Sequence, residues 1–170
     1  MNDFQIAAIV VAVVAAMWDL KSRRIPNILT FGSAAAAFLA HAYVAGLPGA
    51  GWSIAGWLVG VAFFFPFFAL GGMGAGDVKL LAALGAWLEP GATVWVALFS
   101  LIAGGVLGLV VAVGYGYLTQ AFANISWMLQ FWRAEGPKPV PEVTLATHKG
   151  PRLAYAVPVF AGLMVTLWLK

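Results

Sequence analysis

Charged residues interrupt this chain so rarely that the uncharged stretches outline its elements. None occurs from Phe4 to Trp18, from Ile25 to Gly76, from Pro90 to Trp132 or from Leu153 to Leu169. A helix crossing a bilayer needs about 20 apolar residues, so each of the two longest stretches must hold more than one helix. Gly and Pro mark the divisions. The segment Gly46-Leu47-Pro48-Gly49-Ala50-Gly51 separates two apolar runs, and Gly71-Gly72-Met73-Gly74-Ala75-Gly76 breaks the chain again. A short run, Val78 to Leu88, stops at Glu89-Pro90-Gly91, and a long one follows. The pattern predicts six spans, at 4–20, 28–45, 52–70, 77–89, 93–118 and 153–169. The expected fold is all-α: one polytopic membrane domain over 1–170, with a short fourth helix entered by a glycine-rich loop.

The bases test the span count. Six spans place Lys21, Arg23, Arg24, Lys79, Arg133, Lys138, Lys149 and Arg152 on one side and only Lys170 on the other. If the short fourth segment did not cross, that bias would nearly vanish. Basic loops face the cytoplasm, so both termini are expected outside. Composition agrees: 63% of residues are hydrophobic and 9% charged, whereas soluble domains are about half apolar and about a quarter charged. Such a chain is not expected to be disordered, to bind nucleic acid or to form a water-soluble globule. With no Cys, a disulfide framework, a thiolate nucleophile and a Cys-ligated zinc are excluded. No metal or cofactor is expected.

Met1-Asn2-Asp3 is acidic where a signal peptide would be basic, so the first span is expected to be retained. The polar cytoplasmic segment 119–151 divides in two. Ala121 to Trp132, with Trp127 and Trp132, suits an amphipathic helix on the membrane surface. Gly136-Pro137-Lys138-Pro139-Val140-Pro141 reads as an extended linker. No long internal repeat is visible, which weakens an inverted-repeat transporter reading.

Four acids, Asp3, Glu89, Glu135 and Glu142, fall in predicted loops or helix ends, where a solvated charge is ordinary. Asp19 and Asp77 differ. Asp19 closes the first span inside apolar sequence, and Asp77 opens the short fourth one. Six spans put both on the same side at similar depth, and ionisable groups at such positions by default suggest function. The structural alternative pairs Asp19 with Arg23 and Asp77 with Lys79. Two carboxylates brought close cannot both ionise cheaply, so one holds a proton while the other acts as a base. That pair can activate water against a peptide carbonyl. His41 and His148 lie outside any triad-like or metal-ligand spacing and suit packing or surface roles.

The glycine-rich break suits this chemistry. The short fourth segment cannot cover the roughly 30 Å hydrocarbon core, so its start is expected below the cytoplasmic surface. Irregular backbone there must face protein or water, and water is what hydrolysis consumes. The glycines are expected to supply unusual backbone conformations and close substrate approach. At the positive end of a helix dipole, Asp77 is the expected base and Asp19 the expected proton holder.

Asp19-Leu20-Lys21-Ser22-Arg23-Arg24-Ile25-Pro26-Asn27 resembles the first signature of the type IV prepilin peptidases, an Asp six residues before Ile-Pro-Asn. Gly74-Ala75-Gly76-Asp77-Val78-Lys79-Leu80 is similar to their second, Gly-x-Gly-Asp-x-Lys-Leu, which presenilin-like intramembrane proteases share in part. Gly150-Pro151-Arg152-Leu153-Ala154-Tyr155-Ala156-Val157-Pro158, with Gly162, resembles the family's last helix. The resemblance implies an aspartic endopeptidase of the bacterial inner membrane with Asp19 and Asp77 as catalytic pair. It would remove the basic leader of prepilins or pseudopilins at the cytoplasmic face, within reach of a pilus assembly machinery. Gly74, Gly76, Lys79, Pro26 and Asn27 would support the site. A chain that opens on its first helix and lacks Cys resembles the small form found with tight-adherence pili, rather than larger members that carry a zinc extension and N-methylate the product.

The remaining features read more plainly. Gly56/Gly60 and Gly104/Gly108 are spacings that permit close helix packing, expected within the monomer. The eight Trp suit an interfacial belt or helix contacts. Pro26 and Asn27 suit the turn into the second helix, and Lys79 a lipid anchor or an acid's partner. Lys21, Arg23 and Arg24 would repel a basic leader, and binding lipid phosphates or setting topology explains them better. Two rivals stand beside the protease: a small proton- or cation-coupled transporter using the same Asp pair, and a scaffold of a secretion or pilus machine, which leaves the pair unexplained.

Overall fold

The computed structural model describes residues 1–140, 144 and 153–169. The expectations attached to Pro141, Glu142, His148, Lys149, Gly150, Pro151, Arg152 and Lys170 lie outside the described residues. Six helices follow in order: α1 (Asp3–Ser22), α2 (Asn27–Ala69), α3 (Ala75–Trp87), α4 (Pro90–Gly114), α5 (Leu118–Glu135) and α6 (Ala156–Leu169). No strand occurs among the described residues. Helices α1, α2 and α4 are long and apolar enough to cross a membrane.

Helix α1 begins with a reciprocal cap. Asn2 N–H donates to Gln5 Oε1 at 3.0 Å, and Gln5 N–H donates to Asn2 Oδ1 at 2.9 Å. The helix ends at Arg23, held in the left-handed region (φ 53°) with its N–H on the Asp19 carbonyl.

Helix α2 is two arms folded at Gly46, whose φ of 62° and ψ of −148° depart from the helix. The first arm runs parallel to α3: Lys79 Nζ donates to Asn27 Oδ1 at 3.0 Å, and Trp87 Nε1 donates to Ser33 Oγ at 2.8 Å. The second arm runs antiparallel to α3: Ser53 Oγ donates to the Ala86 carbonyl, and Gly60 lies against Ala82. A glycine-rich loop over 46–51 is therefore not what forms. The chain reverses at one glycine, and the helix resumes at once with Pro48 in its first turn, where a missing N–H costs little. Gly49 closes the hairpin by packing directly on the His41 carbonyl.

Two further boundaries differ from the sequence reading. The run expected as 93–118 ends as a helix at Gly114, and a turn with Gly116 at φ 68° leads into α5. The last span starts at Ala156 rather than 153, after Tyr155. Helix α5 covers the expected amphipathic segment, and none of its residues is buried. Residues 136–140 are non-helical, as a linker requires, although Val140 is buried.

Helix α1 turns its small side chains inward and its large ones outward. Helix α1 buries Ala8, Ala12, Ala15 and Ala16 while Ile6, Val10 and Met17 are exposed. That is the reverse of a water-soluble domain and suits lipid, where close backbone packing rather than expulsion of apolar groups holds helices together. Helix α3 is the centre: Leu80, Leu81, Ala82, Ala83, Leu84, Gly85 and Ala86 are all buried, as expected of a helix apolar on every side. Gly56 packs on Gly85 and Gly60 on Ala82. Gly104 packs on Tyr155 and Gly108 near Leu153. Both small-residue spacings thus serve contacts inside the monomer.

Candidate active site

The helix directions bring six chain segments to each end of the bundle. At one end Phe4 stacks on His41 with ring centroids 4.0 Å apart, and His41 Nε2 lies 3.3 Å from the Trp87 carbonyl. His41 is therefore a packing residue. The opposite end holds the end of α1, the loop between α2 and α3, the start of α3 and the start of α6. Between them lies a cavity of about 670 Å³ lined by Asp19, Asp77, Gly74, Gly76, Asn27 and Tyr155, among others.

Asp19 is buried, at 6% exposure. Its Oδ2 accepts the N–H of Ala156, the first residue of α6, at 3.2 Å. Asp77 sits in the first turn of α3, and its Oδ2 accepts the Gly74 N–H at 3.2 Å. Both carboxylates line the same cavity. Each accepts one backbone N–H at a helix start, Asp77 at that of α3 and Asp19 at that of α6.

The glycine-rich loop is shorter than its sequence. Ala75 and Gly76 already belong to α3, and Gly74 is its N-cap. Of the loop glycines only Gly71 needs a left-handed backbone, with φ 79°. Gly74 matters for proximity instead: a Cβ there would stand 3.0 Å from Asp77 Oδ2. A Cβ at Gly76 would meet Ile25 at an ordinary 3.5 Å, so the interior does not demand a glycine there. Conformational freedom is thus not the common purpose of these glycines.

Lys79 and Pro26 are not among the residues lining the cavity. The Lys79 ammonium donates to Asn27 Oδ1 and lies 5.3 Å from the Phe31 ring centroid. Pairing of Lys79 with Asp77 is not what forms, because residues two apart project to different sides of a helix. Pro26 caps α2, its carbonyl accepting from Leu29 and Thr30, and Asn27 combines that turn with a place in the cavity. Arg23 and Arg24 stand at the cavity's exposed rim. Tyr155 and the Ala156 N–H were not singled out from the sequence for any role in the site. The only signal for them was the likeness of the tail to a last helix. No group of three or more His, Asp or Glu able to hold a metal occurs among the described residues.

The fold and this cavity define an all-helical membrane protein whose two buried-end carboxylates converge from distant segments. Residues 6–113 match the type IV leader peptidase family, and the chain belongs to that family. Membership makes it a membrane peptidase, and the matched segment contains both Asp19 and Asp77. No curated protein and no solved structure matches the chain significantly.

Proposed function

We propose that the protein is an aspartic endopeptidase that removes the basic leader of type IV prepilins or pseudopilins. The observation carrying this reading is that Asp19 and Asp77 line one cavity, whose exposed rim carries Arg23 and Arg24. One carboxyl, protonated, polarises the scissile carbonyl; the other, as carboxylate, takes a proton from the attacking water. The tetrahedral intermediate collapses as the leaving amine is protonated. Neither step calls for a metal or cofactor. The basic side faces the cytoplasm, so the site meets a leader where it joins its apolar helix, in the bacterial inner membrane and with both termini outside.

The test is leader removal from a co-expressed prepilin, read by mass spectrometry, with the purified protein in proteoliposomes assayed alongside for proton and cation flux. Leader removal that depends on Asp19 and Asp77 supports the peptidase. Asp-dependent flux without cleavage would favour the transporter.

Two consequences can be measured separately. Gly74→Ala places a methyl against the Asp77 carboxylate and should lower the cleavage rate about tenfold with little change in thermal stability, as sub-ångström misplacement of a reacting group does. Unchanged cleavage would mean that the carboxylate is not held by this contact. Helix α5, whose Phe122, Ile125 and Leu129 are exposed, lies along the cytoplasmic membrane surface in this reading. Because the chain has no Cys, spin labels on Ile125→Cys and Gln130→Cys report depth directly. The label at 125 should respond to a lipid-soluble relaxant and that at 130 to a water-soluble one. Equal response to the water-soluble agent would place the helix off the membrane.

A further inference from the structure

Asp19 poses a hydrogen-bond problem that its own helix cannot solve. It lies in the last turn of α1, where a helix presents free carbonyls and no free N–H groups. The Asp19 carbonyl is taken by the Arg23 N–H. A carboxylate at 6% exposure still needs donors, since a buried polar group without a partner is costly. The donor comes from 137 residues along the chain, as the N–H of Ala156. That N–H is available because Ala156 opens α6 and so has no partner within its own helix.

The position of Ala156 is itself fixed by α4. The Tyr155 ring lies on Gly104, where a Cβ would come within 2.6 Å of ring carbon and hydroxyl alike. Phe64 meets the same ring edge-on at 5.9 Å. The Tyr155 hydroxyl is 3.4 Å from the Ser100 carbonyl, and the Tyr155 carbonyl accepts from Val159 to start the helix. About two turns along, Gly162 presses α6 directly onto Ser100. The start of α6 can therefore shift only if α4 shifts with it.

We propose that the Ala156 backbone N–H, held by Tyr155 seated on Gly104, is a positioning group that orients the Asp19 carboxylate for catalysis. This rests on the reading of Asp19 as one of the catalytic acids. The geometry also explains why the segment before α6 needs a glycine opposite it on α4 and an aromatic residue before its first turn.

The test deletes the one N–H while leaving the helix intact. Ala156→Pro does this, because proline is favoured at the first position of a helix. Ala156→Gly keeps the N–H and is the control. In prepilin cleavage by the full-length protein in detergent or proteoliposomes, Ala156→Pro should lower kcat by about ten- to a hundredfold. KM should stay within about twofold, since this N–H is engaged by Asp19 Oδ2. Ala156→Gly should remain near the parent. Gly104→Ala, which keeps the N–H but displaces Tyr155, should lower kcat in the same way, and Gly105→Ala, whose added Cβ meets nothing, should not. If Ala156→Pro keeps parental kcat, or Ala156→Gly loses as much as the proline variant, the proposal is overturned. Should Ala156→Pro fail to fold, Gly104→Ala against Gly105→Ala decides in its place. Asp19→Asn is assayed in parallel: full cleavage by that variant removes the peptidase reading itself, whereas its loss beside an active Ala156→Pro removes only the positioning role.

Discussion

Asp19→Asn and Asp77→Asn are each expected to fold and insert like the parent and to lose leader cleavage by at least about a thousandfold. The substitution is chosen for what it keeps. An amide oxygen in place of Asp19 Oδ2 still accepts the Ala156 N–H, and one in place of Asp77 Oδ2 still accepts the Gly74 N–H. Both helix starts therefore retain their capping contacts, and the change removes only the capacity to carry charge and exchange a proton. Residues that act as a unit are strongly non-additive, so the double variant should be no less active than either single one. Single-turnover cleavage of a purified prepilin, with circular dichroism to check the fold, gives both numbers. Cleavage within tenfold of the parent by either well-folded variant would sink the two-acid mechanism.

How far this site could be read from the sequence depended on what each feature leaves in the string of letters. The six-segment plan was legible because charge gaps and Gly/Pro punctuation mark membrane helices strongly, and the opposed arms of α2 follow that plan although its turn is a single residue, Gly46. The end of α4 was not legible. Apolar residues continue through Val113 into Tyr115 and Tyr117, so hydropathy sees no boundary where Gly116 turns the backbone. Asp19 and Asp77 stood out because buried carboxylates are rare, yet their donors did not. A backbone N–H has no letter of its own, and whether the one at Ala156 is free depends on where a helix starts. The family match shows the same limit, ending at residue 113, well before Tyr155 lines the cavity and the Ala156 N–H meets Asp19. The alternative that paired Lys79 with Asp77 fails for a geometric reason. Nearness in sequence suggested Asp77 as its partner, but helical spacing turns it toward Asn27.

The other large effect expected lies away from the cavity, at the crossing of α2 and α3. Gly56 and Gly85 meet backbone to backbone: a Cβ on either would overlap the other's carbonyl, and one on Gly56 would also come within 2.7 Å of the Leu88 carbonyl. Backbone cannot yield as the tip of a side chain can, so any added carbon must separate the helices. Gly85→Ala should destabilise the protein by on the order of 1–3 kcal/mol, the usual cost of overpacking a close contact, and Gly85→Leu should leave little folded protein. Gly105→Ala is the control. That glycine lies within α4 with nothing near its would-be Cβ, so alanine should stabilise by about 0.5–1 kcal/mol through helix propensity alone. Thermal unfolding in one detergent ranks the three. A Gly85→Ala protein melting with the Gly105→Ala one would show that the two helices do not meet at this crossing. Because α3 carries Asp77 in its first turn, the same displacement should carry into the site. Gly85→Ala should therefore lose cleavage even below its melting point, where Gly105→Ala keeps it.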